Sequence, residues 1–538
     1  MSPARAAGVR PAHAGRPSPF LVAAAVASLA LVALPLVYLV VRAAGGGPDA
    51  WEILTRRRTL DLLGRTGILV ALVTVAAVSV AVPLAWLVAR SDLPGRRVWA
   101  VLAALPLVIP SYVAALSLIA AFGPRGLLQQ ALEGPFGIER VPEIYGLGGA
   151  VLALTISTYP YVFLLTAVAL RELDPALDET ARSLGVGGWR RFRRVTLPLV
   201  RPAIGAGSLL AALYALSDFG AVSLMQYSSL TRAIFLQYRS LFDRTPAAVL
   251  ALVLVALTAC ALALELRARG RGRYGRVAAG AARAARPVPL GRWRWPALAF
   301  CAGVVGLALG APLAVLGYWV ARSASLAEAA DAWRPALHSV GASAAAAAVA
   351  MVAALPVALL AARRPSPWTR LLERLAYASN ALPGIVIALS LVFFAANYLT
   401  PIYQTLVLLV GAYVIRFFPQ AVAASHTALL QVDPRLEEAA RGLGRSPRAA
   451  FLSVTAPLVA PGLLAGAALV FLSAMKELPA TLLLRPIGFE TLATEVWTAT
   501  TVGAYSRAAV PALVLIALSA PLVYLLLERR TEGLEAPG

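Results

Sequence analysis

The chain has 538 residues, of which 60% are hydrophobic and 14% are charged, and its mean hydropathy is +0.76. This composition excludes an ordinary soluble globular protein and places the chain in a lipid bilayer. The formal net charge of +22 does not indicate nucleic-acid binding, because the basic residues flank apolar segments and form no single soluble patch.

Apolar segments long enough to cross a bilayer, about 20 residues each, recur along the whole chain. Twelve are predicted, with approximate bounds 20–42, 66–89, 98–122, 146–170, 202–225, 246–266, 296–321, 338–362, 375–397, 405–428, 461–484 and 508–527. The first is longer than the core of a signal peptide and lacks a convincing cleavage site, so it is predicted to be a retained helix. An even number of spans returns both termini to one side of the membrane.

The distribution of arginine predicts which side that is, since cytoplasmic loops carry the excess of Arg and Lys. Arginines cluster in the N-terminal tail, in the loop at 90–97, in the loop after the fourth span and in the segment 267–294, all on one face of the twelve-helix arrangement. Both termini are therefore predicted to be cytoplasmic. Arg56, Arg57 and Arg58 are the exception, because they fall on the opposite face.

A polar loop occurs twice. The segment Asp174–Pro202, DPALDETARSLGVGGWRRFRRVTLPLVRP, returns without a gap 259 residues later at Asp433–Pro461 as DPRLEEAARGLGRSPRAAFLSVTAPLVAP. Each copy lies between two apolar segments. Matching polar, Gly and Pro positions in both copies indicate that the loop has a function beyond joining two helices.

The duplication extends upstream of the loop. AVPLAWLVAR, which begins at Ala81, resembles ALPVALLAAR, which begins at Ala354, and IPSYVAALSL from Ile109 resembles LPGIVIALSL from Leu382. Six spans separate equivalent positions, so the two halves cross the membrane in the same direction. We expect an all-α membrane protein with about twelve transmembrane helices in two parallel six-helix halves, related by a pseudo-two-fold axis, with a pathway at their interface.

This repeat predicts the division of the chain into segments. They are an N-terminal tail with the first helix and outer loop (1–61), a first transmembrane domain (62–266), a basic cytoplasmic linker (267–295), a seventh helix and outer loop (296–333), a second transmembrane domain (334–527) and a cytoplasmic tail (528–538).

Each copy of the loop is predicted to form a short amphipathic helix. Asp174-Pro175 is a strong helix start, Leu177, Ala181 and Leu184 share one face by spacing, and Gly185 supplies the stop. The second copy repeats this pattern from Asp433 to Gly444. A short helix of this kind on the cytoplasmic face suits a groove on a soluble partner. The alternative is a solvated helix that lies along the lipid headgroups, and the duplication favours the partner.

The two loops resemble the "EAA" pattern of binding-protein-dependent ABC importer permeases. The first copy has Glu179-Thr180-Ala181, Gly185 and Leu197-Pro198, and the second has Glu438-Ala439-Ala440, Gly444 and Ala456-Pro457. Thr180 and Ala456 depart from the strict pattern. The resemblance covers both halves and implies the type I ABC importer permease fold, with each loop a coupling helix docked on an ATP-binding subunit. The coupling residues that it implies are Glu179, Ala181, Gly185, Glu438, Ala440 and Gly444.

ATP hydrolysis is not expected of this chain. A phosphate-binding loop of the Walker type needs Gly-Lys-Ser/Thr, whereas the only lysine, Lys476, lies between Met475 and Glu477. The chain is therefore predicted to be a non-enzymatic transport subunit, and two copies of a separate ATP-binding subunit are expected to take the two loops.

Two of the acidic residues inside predicted spans occupy equivalent positions in the repeat. Asp218 and Glu477 are separated by the same 259 residues as the loops. An acid at the centre of a membrane helix costs about 3 kcal/mol and usually faces a cavity or marks function. Our hypothesis is that Asp218 and Glu477, with Lys476, line the outward mouth of the pathway. The alternative is structural, with each acid bonded to helix ends or to neighbouring arginines.

The cargo is indicated by a narrower resemblance. YALSDFGAVSLM in the first half and KELPATLLLRPIGFETLATEVW in the second are similar to the ferric-iron permeases with two fused transmembrane domains. Thiamine importers share the fused plan, and polyamine, phosphonate and sulfate importers share the loops. The histidines are scattered and there is no Cys cluster, so neither a resident metal site nor a cofactor is predicted.

The resemblance also implies an extracytoplasmic solute-binding protein, which we expect to face the outer segments Gln226–Thr245 and Arg485–Arg507. The competing interpretation is an ion-coupled secondary transporter of the 6+6 type, which needs no ATPase. Its loops would not require two matched docking helices. A polytopic membrane enzyme is disfavoured because no His and carboxylate cluster or nucleophile motif is found.

Overall fold

The computed structural model describes residues 18–124, 126–137, 142–240, 245–269, 287–323 and 331–532. Most of the predicted N-terminal tail, residues 270–286 of the linker and residues 533–538 of the C-terminal tail lie outside them. Within the described residues the secondary structure is helical, apart from an isolated parallel bridge between Ser91 and Val288.

The helices of the first part of the chain, up to residue 269, are α1 (Pro19–Ala44), α2 (Gly47–Thr55), α3 (Arg57–Arg90), α4 (Arg96–Ala104), α5 (Ser111–Phe122), α6 (Leu127–Phe136), α7 (Leu147–Glu172), α8 (Pro175–Ser183), α9 (Gly188–Arg191), α10 (Leu197–Ser217), α11 (Gly220–Leu224), α12 (Leu230–Ser240) and α13 (Thr245–Arg269). The helices of the remainder are α14 (Arg294–Val305), α15 (Ala311–Ser323), α16 (Trp333–Arg363), α17 (Pro367–Ala378), α18 (Gly384–Tyr398), α19 (Leu406–Leu430), α20 (Pro434–Gly442), α21 (Pro447–Ala450), α22 (Ala456–Met475), α23 (Pro479–Leu484), α24 (Leu492–Thr501) and α25 (Tyr505–Glu532).

The number of membrane-spanning helices agrees with the sequence. Among the described residues, eleven helices are long and apolar enough to cross a bilayer, or twelve if the bent pair Pro367–Ala381 and Gly384–Tyr398 is one span. The prediction of an all-α membrane protein with about twelve spans is confirmed.

Four predicted spans are not continuous helices. The span 98–122 is interrupted before Pro110, and 375–397 bends by 98° before Pro383–Gly384, because proline disfavours the helical conformation of its predecessor. The spans 202–225 and 461–484 end early, since α10 stops at Ser217 and α22 stops at Met475. Hydropathy did not predict these breaks because the sequence is apolar on both sides of each.

Small residues let neighbouring helices approach closely at equivalent places in both halves. A Cβ atom added at Gly207 on α10 would lie 2.6 Å from the Cα of Val162 on α7. The equivalent Gly466 on α22 meets Ala424 on α19, where the added atom would lie 2.5 Å from the alanine Cβ. Close approach at small residues is a usual source of packing energy between membrane helices.

The chain divides into two compact units, each with its own core. One unit comprises residues 1–34, 343–380 and 413–474, and a cluster that includes Ala358, Leu429 and Val459 lies at its centre. The other comprises residues 35–342, 381–412 and 475–538, and within it α3 packs along α7 and α10. The second half of the repeat contributes residues to both units.

Candidate functional site

The first repeated loop folds as a capped helix. The Asp174 side chain accepts a hydrogen bond of 2.9 Å from the backbone N–H of Ala176, and Pro175 occupies the first helical position, where no N–H is needed. At the other end Gly185 has φ +74°, and the N–H of Val186 donates to the carbonyl of Ala181 at 3.1 Å. This is a Schellman ending, which only a left-handed residue permits.

The second loop has the same geometry. Asp433 accepts from the N–H of Arg435 at 2.9 Å, Gly444 has φ +86°, and the N–H of Arg445 donates to the carbonyl of Ala440 at 3.2 Å. The predicted helix start and stop are confirmed in both copies.

Burial divides the predicted apolar face of each loop helix. Leu177 and Leu184 are 43% and 77% exposed, whereas Ala181 between them is only 8% exposed. The three residues share one face by spacing, but only the two leucines are exposed on it, and the docking role of Ala181 stays a prediction. The second loop repeats the division, with Leu436 and Leu443 exposed and Ala440 buried.

Each loop helix also exposes an acid, Glu179 in the first copy and Glu438 in the second. Each acid lies two residues after an exposed leucine, Leu177 or Leu436, and so projects from a different side of the helix. We call these exposed residues together the coupling surface: Leu177, Glu179 and Leu184 in the first loop, and Leu436, Glu438 and Leu443 in the second.

A π-helical turn joins each loop to the following long helix. The N–H of Leu197 donates to the carbonyl of Phe192, and the N–H of Ala456 donates to the carbonyl of Phe451, five residues earlier in both cases. Pro198 and Pro457 follow directly, and a proline removes a donor and crowds the preceding turn, which the wider turn relieves. The Leu-Pro and Ala-Pro pairs of the motif are thus the sequence signal for this turn.

A side-chain contact fixes the second loop to its π turn. Thr455 donates its hydroxyl to the carboxylate of Glu437 at 2.9 Å. In the first copy, Phe192 of the π turn packs edge-on against Trp86 of α3, with ring centroids 6.4 Å apart. Side-chain contacts therefore hold the π turn in both copies.

Asp218 lies at the break that follows α10. Its carboxylate accepts hydrogen bonds from the N–H groups of Ala221 at 3.0 Å and Val222 at 3.3 Å, and from the hydroxyl of Ser111. It thereby caps the short helix α11. The side chain is only 8% exposed, and these three donors are the partners expected of a buried carboxylate.

Glu477 occupies the equivalent break after α22. Its carboxylate accepts from the N–H of Ala480 at 3.4 Å at the start of α23, and its carbonyl accepts from Thr481 at 2.5 Å. A Cβ atom added at Gly384 would collide with this carboxylate. Both acids therefore take part in helix capping, which the sequence analysis gave as the alternative to a pathway role. The pathway role itself stays a prediction.

Lys476 bridges distant parts of the chain. Its Nζ donates to the carbonyl of Leu107 at 2.9 Å. Leu107 belongs to the 3₁₀ turn Leu105–Val108, directly before the break at Pro110. The equivalent residue of the first half, Ser217, bonds only within its own helix, to the carbonyl of Tyr214 at 3.1 Å. In the part of the chain that the structure describes, the lysine contact therefore has no counterpart at Ser217.

The other ionisable candidates are dispersed. Among the described residues no group of three or more His, Cys, Asp or Glu side chains could hold a metal ion. His338 stacks on Phe489, and His426 pairs with Glu373 at 2.8 Å. His13 lies outside the described residues.

Comparison with protein families gives a match in both halves. The model described as "Binding-protein-dependent transport system inner membrane component" matches residues 81–267 and 354–533. Both ranges begin at the first residue of the repeated segments AVPLAWLVAR and ALPVALLAAR.

Comparison with curated proteins gives relatives of the same general description. The chain is 33% identical over 499 residues to the Fe(3+)-transport system permease protein FbpB 2 of Haemophilus influenzae, which covers 92% of this chain and 95% of that protein. It is 27% identical over 405 residues, 70% of each chain, to the probable ABC transporter permease protein y4fN of Sinorhizobium fredii. A shorter match, 38% over 117 residues, is to the molybdenum transport system permease protein ModB of Escherichia coli and covers 22% of this chain and 50% of that protein.

Proposed function

This chain belongs to the family of binding-protein-dependent transport system inner membrane components, and from that premise we propose that it forms the translocation pathway of an ATP-driven importer of ferric iron. It is a multi-pass inner-membrane permease subunit with the all-α fold and duplicated transmembrane region of a type I ABC importer permease.

The observation that carries the coupling role is the repeated loop geometry. Two helices with the same Asp cap, the same left-handed glycine and the same exposed leucine and glutamate are offered by one chain. Two identical partner subunits present the same binding site twice. A single chain that occupies both sites therefore needs two matching loops. We assign the coupling surfaces, with Glu179, Gly185, Glu438 and Gly444, to contact with two ATP-binding subunits. Ala181 and Ala440 support these surfaces from beneath.

The force would pass through the π turns. Closure of the two ATP-binding subunits on ATP would draw the two loops together, and each loop is joined without a flexible linker to α10 or α22. The far ends of these helices carry Asp218 and Glu477, where the chain breaks and turns. A displacement at the coupling surface is thus delivered to the breaks, which we assign to the gate of the pathway, with both termini in the cytoplasm.

We assign ATP hydrolysis to another polypeptide. The single lysine, Lys476, is held by the carbonyl of Leu107 and lies in no glycine-rich phosphate loop. The chain itself therefore supplies no nucleotide-binding site, and its assembly has two ATP-binding subunits and a soluble solute-binding protein at the outer segments Gln226–Thr245 and Arg485–Arg507.

Ferric iron is favoured over other cargoes by the relative that matches nearly the whole chain and is described as an Fe(3+)-transport permease. A resident iron site is not needed for this role, because a permeation route must release its ion quickly while selectivity resides in the binding protein. Thiamine and other small solutes are the alternative cargoes.

Copurification tests the coupling assignment. The chain with Glu179→Gln and Glu438→Gln is expected to lose its complex with the ATP-binding subunit, because both coupling surfaces lose their acid. Glu143→Gln, at an exposed glutamate in the outer loop before α7, is the matched control and should leave the complex intact. Gradient-driven uptake by the chain alone would instead favour a secondary transporter.

Uptake into vesicles tests the cargo. Proteoliposomes that contain the permease and its ATP-binding subunits are loaded with ATP and given the iron-charged binding protein. Accumulation of radioactive iron, unaffected by excess thiamine, is the expected result. Accumulation of thiamine without iron would reassign the cargo and leave the importer assignment in place.

A further inference from the structure

A cationic cavity lies at the start of α3, on the opposite end of the molecule's first half from the coupling loop. Its volume is about 340 Å³, and among the described residues its lining includes Arg56, Arg58, Arg65 and Arg232 with one acid, Asp61. The apolar part of the lining includes Leu236 and Leu250. We call this site the arginine pocket. The sequence analysis noted Arg56 and Arg58 only as an exception to the arginine distribution.

The positive charge of the arginine pocket is only partly neutralised by the protein. Arg56 pairs with Glu52 at 2.8 Å, and Arg232 donates to the carbonyl of Gln226 at 2.7 Å, a neutral acceptor. Burial lowers the pKa of Arg232, the direction expected of a cation moved away from water. Among the residues that the structure describes here, four arginines face Asp61 of the lining and Glu52, the partner of Arg56, and this excess of positive charge favours an anion.

The framework of the pocket is tied together by hydrogen bonds. The hydroxyl of Tyr227 donates to the carbonyl of Arg65 at 2.9 Å, and the N–H of Leu230 donates to the hydroxyl of Thr66 at 3.0 Å. Thr59 donates to the carbonyl of Ile53 at 2.6 Å and so joins α3 to α2. The arginines of α3 and α12 therefore project from helices whose spacing is already fixed, which lowers the entropy cost of binding a ligand.

The surroundings of the pocket have the composition of a membrane boundary. The helix α3 has 34 residues and is about 50 Å long, and its far end at Trp86 contacts the π turn of the coupling loop. Leu236 of the lining is 49% exposed, and Trp51 and Leu60, which lie close to the lining residues Ile53 and Thr59 in sequence, are 70% and 57% exposed. Exposed tryptophan and leucine beside arginine are typical of the boundary between hydrocarbon and water.

We infer that the arginine pocket binds the headgroup of an anionic phospholipid through its phosphate oxygens. Guanidinium groups bind phosphate in a bidentate manner, and basic pockets between membrane helices are suited to lipid headgroups. The cavity volume accommodates a phosphate with its glycerol. Leu236 and Leu250 of the lining would contact the first carbons of the acyl chains. This inference does not depend on the cargo or on the ATP-binding subunits. The proposed orientation, with both termini in the cytoplasm, places the bound lipid in the outer leaflet.

Native mass spectrometry of the full-length chain in detergent tests this site. The chain is mixed with equal amounts of phosphatidylglycerol and phosphatidylcholine, and wild type is expected to retain phosphatidylglycerol preferentially. The variant Arg58→Gln/Arg232→Gln should reduce that retention about tenfold, which corresponds to about 1.4 kcal/mol. The control Arg57→Gln/Arg239→Gln removes the same charge from the same two helices at residues outside the pocket lining and should retain the lipid as wild type does.

The outcomes separate the possible ligands. Equal retention by the pocket variant, or no preference for phosphatidylglycerol in wild type, overturns the inference. Displacement of the lipid by an equimolar amount of inorganic phosphate also overturns it, because the pocket would then prefer a soluble anion to the lipid. Weaker docking of the binding protein with unchanged lipid retention would assign the pocket to that protein instead. Arg58→Gln alone, at an exposed side chain, should reduce retention about threefold and serves if the double variant does not fold.

Discussion

The carboxylate of Glu477 lies against the Cα of Gly384, in the space that the side chain of any other residue at position 384 would enter. The equivalent pair in the first half is Asp218 with Ser111, where the shorter acid accepts a hydrogen bond from the serine hydroxyl. A longer acid is thus matched with glycine, and a shorter acid with serine. We call the breaks after α10 and after α22 the two junctions. Each junction is filled by an acid and a neighbouring residue, and the larger acid is paired with the smaller neighbour.

Gly384→Ser is expected to destabilise the protein by about 1–2 kcal/mol. The new side chain displaces the Glu477 carboxylate, so the N–H of Ala480 loses its acceptor at the start of α23. The thermal unfolding midpoint of the purified chain is the measurement, and it should fall below that of wild type.

The double variant Gly384→Ser/Glu477→Asp recreates the first-half pair and provides the control. It should recover most of the stability lost in each single variant, with a coupling free energy of about 1–2 kcal/mol. Strictly additive losses would show that Gly384 and Glu477 do not compensate each other.

Charge and capping at Asp218 can be separated by two substitutions. Asp218→Asn keeps an oxygen for the N–H groups of Ala221 and Val222 and should assemble normally with the ATP-binding subunit. Asp218→Ala leaves these donors without an acceptor, and we expect a loss of about 1–3 kcal/mol.

Transport by the neutral variants then tests the pathway role. Asp218→Asn/Glu477→Gln should assemble but import less substrate in vesicles, because the junction loses its negative charge. Unchanged uptake would leave capping as the whole role of both acids.

Local sequence predicted the start and the end of each repeated loop helix correctly, because these features are determined by neighbouring residues. The Asp174 side chain accepts a hydrogen bond from the N–H two residues later. Gly185 permits the hydrogen bond from the N–H of Val186 to the carbonyl of Ala181, five residues earlier. The same reasoning placed Leu177, Ala181 and Leu184 on one face, but not the burial of Ala181, since that depends on packing against residues elsewhere in the chain.

The junctions could not be predicted in this way. Lys476 bonds to the carbonyl of Leu107, 369 positions away, and a backbone acceptor leaves no sequence signal. One signal was present: Ser111 and Gly384 are aligned in the repeat, as are Asp218 and Glu477. Between the two halves one residue of the pair becomes smaller, Ser to Gly, while the other becomes larger, Asp to Glu. Such a paired change indicates contact, but an analysis of apolar periodicity does not detect it.

Lys476→Met is expected to destabilise the junction by about 1–3 kcal/mol. The substitution keeps an unbranched chain of similar length and removes the donor to the Leu107 carbonyl, which lies at the interrupted end of a helix. The measurement is the unfolding midpoint together with ATP hydrolysis by the assembled complex in the absence of the binding protein. Hydrolysis should rise if the contact holds the resting state.

Ser217→Ala is the control for this prediction. Ser217 is the equivalent residue of the first half, and its hydroxyl bonds only to the carbonyl of Tyr214 within the same helix. A change within about 0.5 kcal/mol is expected. An effect as large as that of Lys476→Met would show that the lysine has no special role in joining the two parts of the chain.

Gly185→Ala/Gly444→Ala should uncouple ATP hydrolysis from transport. Both glycines have positive φ, +74° and +86°, which costs a residue with a Cβ about 1–2 kcal/mol. Each loop would relieve that strain by opening its Schellman ending, and this moves Leu184 and Leu443 of the coupling surfaces. The readout is binding-protein-stimulated ATP hydrolysis by the reconstituted complex, expected to fall several-fold.

Gly187→Ala/Gly442→Ala is a matched control, because neither glycine has positive φ and an added Cβ meets no atom within 4 Å at either site. Equal loss in both variants would mean that any methyl group added to the loops is harmful, and the left-handed glycines would then have no particular part in coupling.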